Sequence, residues 1–464
     1  MAYRPKRVVT VQFMWPKNGF QNDGTWTNWA GNQTAHPVRI ERPRNETEVV
    51  SLVQAAVKED RRVRVVGAGH SFTGLAVTDE VLVTLDDMDS VVSLDRDSGK
   101  ATVESGIRLF NLNPLLTAAG LAMPNLGDIA YQSVAGAIST STHGTGLKFQ
   151  SIAAGVIGLR IVTGDGTVIE CDEEKNSEIL HVARVGLGAL GIITEVTLQC
   201  VPAFNLHAVE EVLQIDDLLK DFDEHVESTD HTEFFWMPHT TNALLKRNTR
   251  TTEEPPPPKD FKQTLRRKWK RFKNDELLQN FGFGAMNYLG RIQPSLIPKM
   301  NNLVIPDVGA ANYITKSYEV FASERRVRFY EMEYAIPRKN GIEAFRQVQA
   351  LIETLDQPIS FPIEVRVLGA DDIPLSTASG QETMYIAVHV FYGTSYEKYF
   401  QGVESIMNQF HGRPHWGKIH FQTAETLSKK YPEWDVFQEL RYDLDPFGRF
   451  TNNELDRVLG KIEA

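Results

Sequence analysis

The sequence predicts an α+β protein of two domains, and three observations carry that reading. A chain of 464 residues, set against the usual ~150 per domain, has room for two or three separate cores. From residue 1 to about 203 one strongly periodic helix alternates with many short strand patterns. A run of four prolines and a basic stretch then interrupt the chain, after which strands and helices resume with antiparallel-like patterning.

The elements follow in order. "PRNETEVVSLVQAAVKEDRR" repeats apolar residues at Val49, Leu52, Val53, Ala56 and Val57, with Asn45 as N-cap and Glu48 three residues on, so a helix starts there. "VRVV" at 63 to 66 reads as a strand entering the loop "GAGHSFTG", and "VLVTLD", "VVSLD" and "KATVES" as further strands. "LFNLNPLLTAAG" is a helix stopped by Gly120. Past a stretch rich in glycine, serine and threonine, Gly164, Asp165 and Gly166 turn a hairpin, and "IITEVTLQCV" is a strand. Pro255 to Pro258 read as an extended spacer and Arg266 to Lys273 as a polar helix. In the second unit "RRVRFYEMEYAIP", "PIEVRVLG" and "MYIAVHVFYG" are strands, while "NGIEAFRQVQALIETLD" and "SYEKYFQGVESIMNQF" are helices.

Composition narrows the chemistry. A formal charge of −11 disfavours a chain-wide attraction to nucleic acid, so a small-molecule substrate is expected. No run approaches the ~18 apolar residues of a membrane span. The N-terminal stretch begins basic, but Gln12 interrupts it and no small-residue cleavage site follows, so an intracellular, cytoplasmic protein is expected. Cys171 and Cys200 are too few for a disulfide framework or a thiolate cage, and both lie in alternating apolar runs as buried structural thiols do.

The loop Gly67 to Gly74 needs its own account. A Rossmann fingerprint would have glycine at 72 and a helix behind it; the residue is Phe72 and a strand follows. No lysine-hydroxyl pair closes it as in a Walker loop. Small residues still let backbone amides approach phosphate oxygens, which leaves an anion-binding nest. The stretch resembles the histidine-bearing diphosphate loop of the vanillyl-alcohol oxidase family of flavoproteins, in particular its aldonolactone and alditol oxidases. "PNLGDIAYQSVAGAISTSTHGTG", "GLGALGIITEVTL" and "RPHWGK" resemble that family's later flavin and active-site segments, in the family's order.

The resemblance implies a PCMH-type FAD-binding fold with an α+β cap: a flavin domain over 1–203, a cap or substrate domain over 204–412, and a segment 413–464 returning to the flavin region. It implies FAD, held by Val66, Gly67, Ala68, Gly69, His70, Ser71, Asp128, Ser133, Gly136, Thr140, Ser141, Thr142, His143 and Ile193, with His70 bonded to the 8α carbon of the ring.

Residue patterns supply the candidate chemistry. Glu364 and Arg366 stand at i and i+2 on a strand, so they share one face while Ile363, Val365 and Val367 fill the other. Spacing alone fits a surface salt bridge; the family's matching Glu-x-Arg holds substrate beside the flavin. Lys418 matches a family lysine near the reacting hydroxyl. A cation there has a use, because negative charge develops on an alcohol oxygen as hydride leaves its carbon. Lys418 and His389 are both candidates for the group that takes the proton, and His389 also reads as a core histidine. His411, His415 and His420 do not suggest zinc, because Gly412, Pro414 and Gly417 break any helix that would align them.

Gly127 matches a position beside the flavin edge where a larger side chain blocks dioxygen, and Asp128 with "NLG" leans toward lactone oxidases. The expected reaction is therefore oxidation of an aldono-1,4-lactone (L-gulono-, L-galactono- or D-arabinono-) with oxygen as acceptor and hydrogen peroxide as product. An alditol oxidase, a dehydrogenase using another acceptor, and a flavin relay protein docking through 266 to 273 are the alternatives.

Overall fold

Asn45 starts the first helix as its spacing requires. Its side chain accepts from the Glu48 amide at 2.9 Å, and the Glu48 carboxylate accepts from the Arg44 amide at 2.8 Å. The helix, Glu46–Lys58, buries Val49, Leu52, Val53 and Ala56. It links two strands of a small parallel sheet whose order is Arg39–Glu41, Val81–Thr84, Val63–Val66. The structure, a computed structural model, describes residues 19–255, 282–304, 311–322 and 327–462. The prolines after Pro255, the basic stretch 266 to 273 and the N-terminal stretch up to residue 18 lie outside the described residues.

Val91–Asp95 and Lys100–Glu104 read in sequence like Val81–Thr84, yet they join a different, five-stranded antiparallel sheet with Val156–Val162, Val168–Asp172 and Ile192–Gln199. The hairpin around Gly164 to Gly166 closes through the Thr163 amide on the Thr167 carbonyl at 2.9 Å, with Gly166 at φ +87. Cys171 and Cys200 are buried free thiols, their pKa values pushed up by burial to about 12 and about 11.

The largest sheet is antiparallel and eight-stranded. Its order is Ala311–Lys316, Asn205–Gln214, Asn242–Thr251, His231–Trp236, Ile363–Leu368, Thr383–Phe391, Phe329–Pro337, Arg413–Pro414. The four strands before Ile363–Leu368 in that order were not read from sequence. One face packs Met332, Tyr334, Ile336, Val365, Ile386 and Val388 against Phe345 and Val348 of helix Gly341–Glu353 and Phe400 and Val403 of helix Glu397–Gln409. Alternation then turns Glu331, Glu333, Glu364, Arg366 and Tyr385 to the opposite face.

The C-terminal helices Trp434–Leu444 and Asn453–Leu459 return to the first unit, where Phe437, Leu444, Leu455 and Val458 share a core with Leu112, Val134 and Val196. Among the described residues no helix is long and apolar enough to cross a membrane.

Buried histidines give this fold an acid-sensitive flank. Burial holds His231 down to about 4, His415 to about 3 and His420 well below its ordinary value, whereas burial pushes the Asp445 carboxyl up to about 6. A base with a lowered folded pKa loses stability as pH falls below its unfolded value of about 6.5, and an acid with a raised one gains it below about 6. His70 is held down to about 3 in the same way, so these histidines outnumber the aspartate and unfolding takes up protons. Stability is thus expected to fall as pH drops from about 6 to about 4.5. Urea unfolding across that range checks it; a flat profile would contradict it.

Candidate active site

The loop after Val63–Val66 lies at the floor of a cleft of about 1020 Å³ that opens to solvent. Val66, Gly67, Ala68, Gly69, His70, Ser71, Ser133, Gly136, Thr140 and Ile193 all line it. Small residues are required where segments nearly touch: a Cβ on Gly67 would stand 2.5 Å from the Ser133 hydroxyl oxygen. Gly69 sits at φ +69, and its added Cβ would press on Trp26 at 3.2 Å. The cleft is walled by backbone, as an approaching diphosphate needs.

His70 is half-buried beside Trp29 and Tyr131, with ring centroids at 5.6 and 6.2 Å. Its Nδ1 is buried without a hydrogen-bond partner among the described residues. Burial, then the charges of Arg108 and Lys418, hold its pKa down to about 3, so the ring is neutral.

Asp128, Ser141, Thr142 and His143 stand outside that cleft. Ser141, at φ +60, turns the chain away after helix Val134–Ser139, and its hydroxyl lies 3.4 Å from that of Ser376. The Thr142 hydroxyl accepts from Gln132 at 3.0 Å, while Asp128 and His143 reach the charged face of the large sheet. At Gly127 an added Cβ would meet the His143 carbonyl oxygen at 3.1 Å and the Thr142 methyl at 3.2 Å, so a larger residue fits only where these neighbours give by a few tenths of an ångström.

On the sheet, Glu364 and Arg366 share a face and touch, but the face is buried, at 5% and 7% exposure. The Arg366 guanidinium also meets Asp128, and its Nε donates to Glu233 at 2.9 Å. Burial would lower the Arg366 pKa, but Asp128, Glu364 and Glu233 outweigh it and raise it well above the usual value. Two strands away, Lys418 pairs with Glu331, whose other oxygen lies 3.5 Å from His389 Nε2. His389 Nδ1 lies 2.9 Å from the Pro362 carbonyl oxygen. It must donate there, which leaves the lone pair of the neutral ring on Nε2.

The cleft and the charged face are fastened together. The Phe72 amide donates to the Gly417 carbonyl at 2.7 Å and the Thr73 hydroxyl to the Trp416 carbonyl at 3.0 Å. "GAGHSFTG" and "RPHWGK", far apart in sequence, thus become one loop pair that sets Lys418 near His70.

His411, His415 and His420 are not gathered; His415 instead joins His143 and Glu333, their ligating atoms within 4.8 Å of one another. His415 Nδ1 accepts from the Gly417 amide at 3.0 Å, so its neutral ring carries the proton on Nε2 and has no lone pair there for a metal. The group reads as a hydrogen-bonded one.

Glu233, Glu331 and Glu333 were not singled out from sequence, although "FYEMEYAIP" carried a signal: two carboxylates at i and i+2 inside an apolar strand. Arg64 was missed too. It lines the cleft, is buried, and donates to the carbonyls of Leu75, Gly188 and Phe450, so an arginine inside "VRVV" was the clue.

Residues 196–458 match the family described as "D-arabinono-1,4-lactone oxidase". The chain belongs to the D-arabinono-1,4-lactone oxidase family. Residues 37–172 of this lactone oxidase family member match an FAD-binding domain, the part that carries the His70 loop. It is 43% identical over 435 residues to the L-gulono-1,4-lactone dehydrogenase of Mycobacterium tuberculosis, covering 94% of this chain and 99% of that protein. It is 32% identical over 438 residues to the L-gulonolactone oxidase of Mus musculus, covering 93% and 97%. Its fold is the PCMH-type FAD-binding fold with an α+β cap, as in cholesterol oxidase from B. sterolicum, with a TM-score of 0.79 at 19% identity over 97% of this chain and 100% of that one.

Proposed function

We propose that this protein oxidises an aldono-1,4-lactone at its C2 hydroxyl, using FAD attached through His70. The carrying observation is a buried arginine and a half-buried lysine, each paired with carboxylates, with the lysine's turn fastened to the His70 loop. Residues 1–203 with 413–464 would hold the flavin and 204–412 the substrate, a division supported by the C-terminal helices packing into the first core.

The cleft fits the cofactor through its backbone walls and the unpartnered nitrogen of His70. A neutral imidazole is also what a bond from nitrogen to carbon requires. When bound, the flavin supplies a two-electron acceptor for the hydride leaving the carbinol carbon. Arg366 and Lys418 stabilise the charge that develops on the hydroxyl oxygen, a contribution of about 3–4 kcal/mol per well-placed donor. Glu364 fixes the plane of the guanidinium. Between the two candidate bases the geometry favours His389, because its Nδ1 is committed to Pro362 and its Nε2 keeps a lone pair, while Lys418 is committed to Glu331.

The acceptor has two readings. Oxygen, giving hydrogen peroxide, agrees with the name of the mouse relative; a different acceptor agrees with the dehydrogenase of M. tuberculosis. Gly127 stays a proposed oxygen-access position on the side of the oxidase, packed closely against His143 and Thr142.

Anaerobic addition of L-gulono-, L-galactono- or D-arabinono-1,4-lactone is expected to bleach the flavin absorbance, and absence of bleaching with every lactone and alditol would sink the proposal. Mixing the reduced protein with oxygen then separates the acceptors. Acid-precipitated parent protein is expected to keep its yellow colour and His70→Ala to lose it; a colourless parent precipitate would exclude attachment.

A further inference from the structure

Glu331 lies on the charged face of the large sheet with no role so far. It is 5% exposed and stands directly across the ladder from His389. One carboxylate oxygen takes the Lys418 ammonium and the other faces His389 Nε2 at 3.5 Å. Its carbonyl accepts from the Ile419 amide at 2.9 Å, so the backbone of Glu331 holds the residue after Lys418 while its carboxylate holds the Lys418 ammonium.

We propose that Glu331 is the positioning residue of this site, a buried carboxylate that sets the spacing of Lys418 and His389. The proposal rests on the active-site reading given above. The charged groups facing Glu331 are Lys418 from the C-terminal turn, His389 from the neighbouring strand and Glu333 from its own strand, with His143 and His415 beyond Glu333. Burial would push the Glu331 carboxyl up, but Lys418 and His389 outweigh it and hold it down to about 2, so it carries its charge throughout the working range. A neutral amide in its place keeps the shape and removes the ion pair that holds the Lys418 ammonium in place.

The test is anaerobic flavin reduction over a range of lactone concentrations, in the holoprotein and in Glu331→Gln, Glu331→Asp, Lys418→Met and His389→Gln. Glu331→Gln is expected to keep its flavin spectrum and its half-saturating lactone concentration and to reduce the flavin about tenfold to a hundredfold more slowly at saturation. Glu331→Asp retains the charge, so its limiting rate should return toward the parent's. A slow Glu331→Gln that is no better in the aspartate variant, or one that only raises the half-saturating concentration, assigns a different role and overturns the proposal. Parent-like rates in Glu331→Gln, alongside slow Lys418→Met and His389→Gln, remove Glu331 alone. Parent-like rates in those last two variants bring down the site reading and this proposal with it.

Discussion

Arg366→Met is expected to lose about 3–5 kcal/mol of stability near neutral pH and to slow flavin reduction by about a hundredfold or more. The two losses have one origin. Asp128, Glu233 and Glu364 come from a loop, a neighbouring strand and the strand of Arg366 itself, and all three converge on one guanidinium. With methionine there, three carboxylates face one another inside the protein with their shared cation gone. They relieve this by taking up protons, so the deficit should be largest above neutral pH and shrink in acid. Urea unfolding of parent and variant at two pH values reads the sign directly. Arg366→Lys keeps a charge but not a fork that serves three acceptors, and an intermediate loss is expected. A stability loss below about 1 kcal/mol at neutral pH would mean that the carboxylates are satisfied elsewhere.

Lys418→Met is expected to slow flavin reduction by about 10²–10³-fold while KM changes little. That split follows if the ammonium acts on charge present only as the hydride leaves. The backbone of its turn is held independently, by the Phe72 amide on Gly417 at 2.7 Å and by Thr73 on Trp416 at 3.0 Å, so methionine should leave the loop pair in place. The Nζ also stands 5.3 Å from the Phe72 ring centroid, a cation–π contact that methionine gives up. Stopped-flow reduction under anaerobic conditions separates the two constants. A rise in KM with an unchanged limiting rate would show that Lys418 only binds substrate.

Much of the site was legible because it obeys period two. Glu364 and Arg366 could be placed on one face from spacing alone, and so could Glu331 and Glu333 had the same rule been applied to "FYEMEYAIP". Asn45 and Glu48 announced their helix through a capping pattern that acts over three residues. Asp128 shows where such reading stops. Nothing near it in sequence indicates that its partner is Arg366, 238 positions away.

By itself the sequence determined which faces are apolar, where the helices start, and that a histidine-bearing loop of small residues must let a ligand come close. Those are local properties, set by side-chain periodicity, caps and glycine conformations within a few residues. Only the tertiary structure decided that Val81–Thr84 joins one sheet and Val91–Asp95 another, and that Lys418 is fastened beside His70. It alone decided that five carboxylates share two cations, buried Arg366 and half-buried Lys418, because strand order and cross-strand register arise from which surfaces exclude water together, and no stretch of chain carries that information alone.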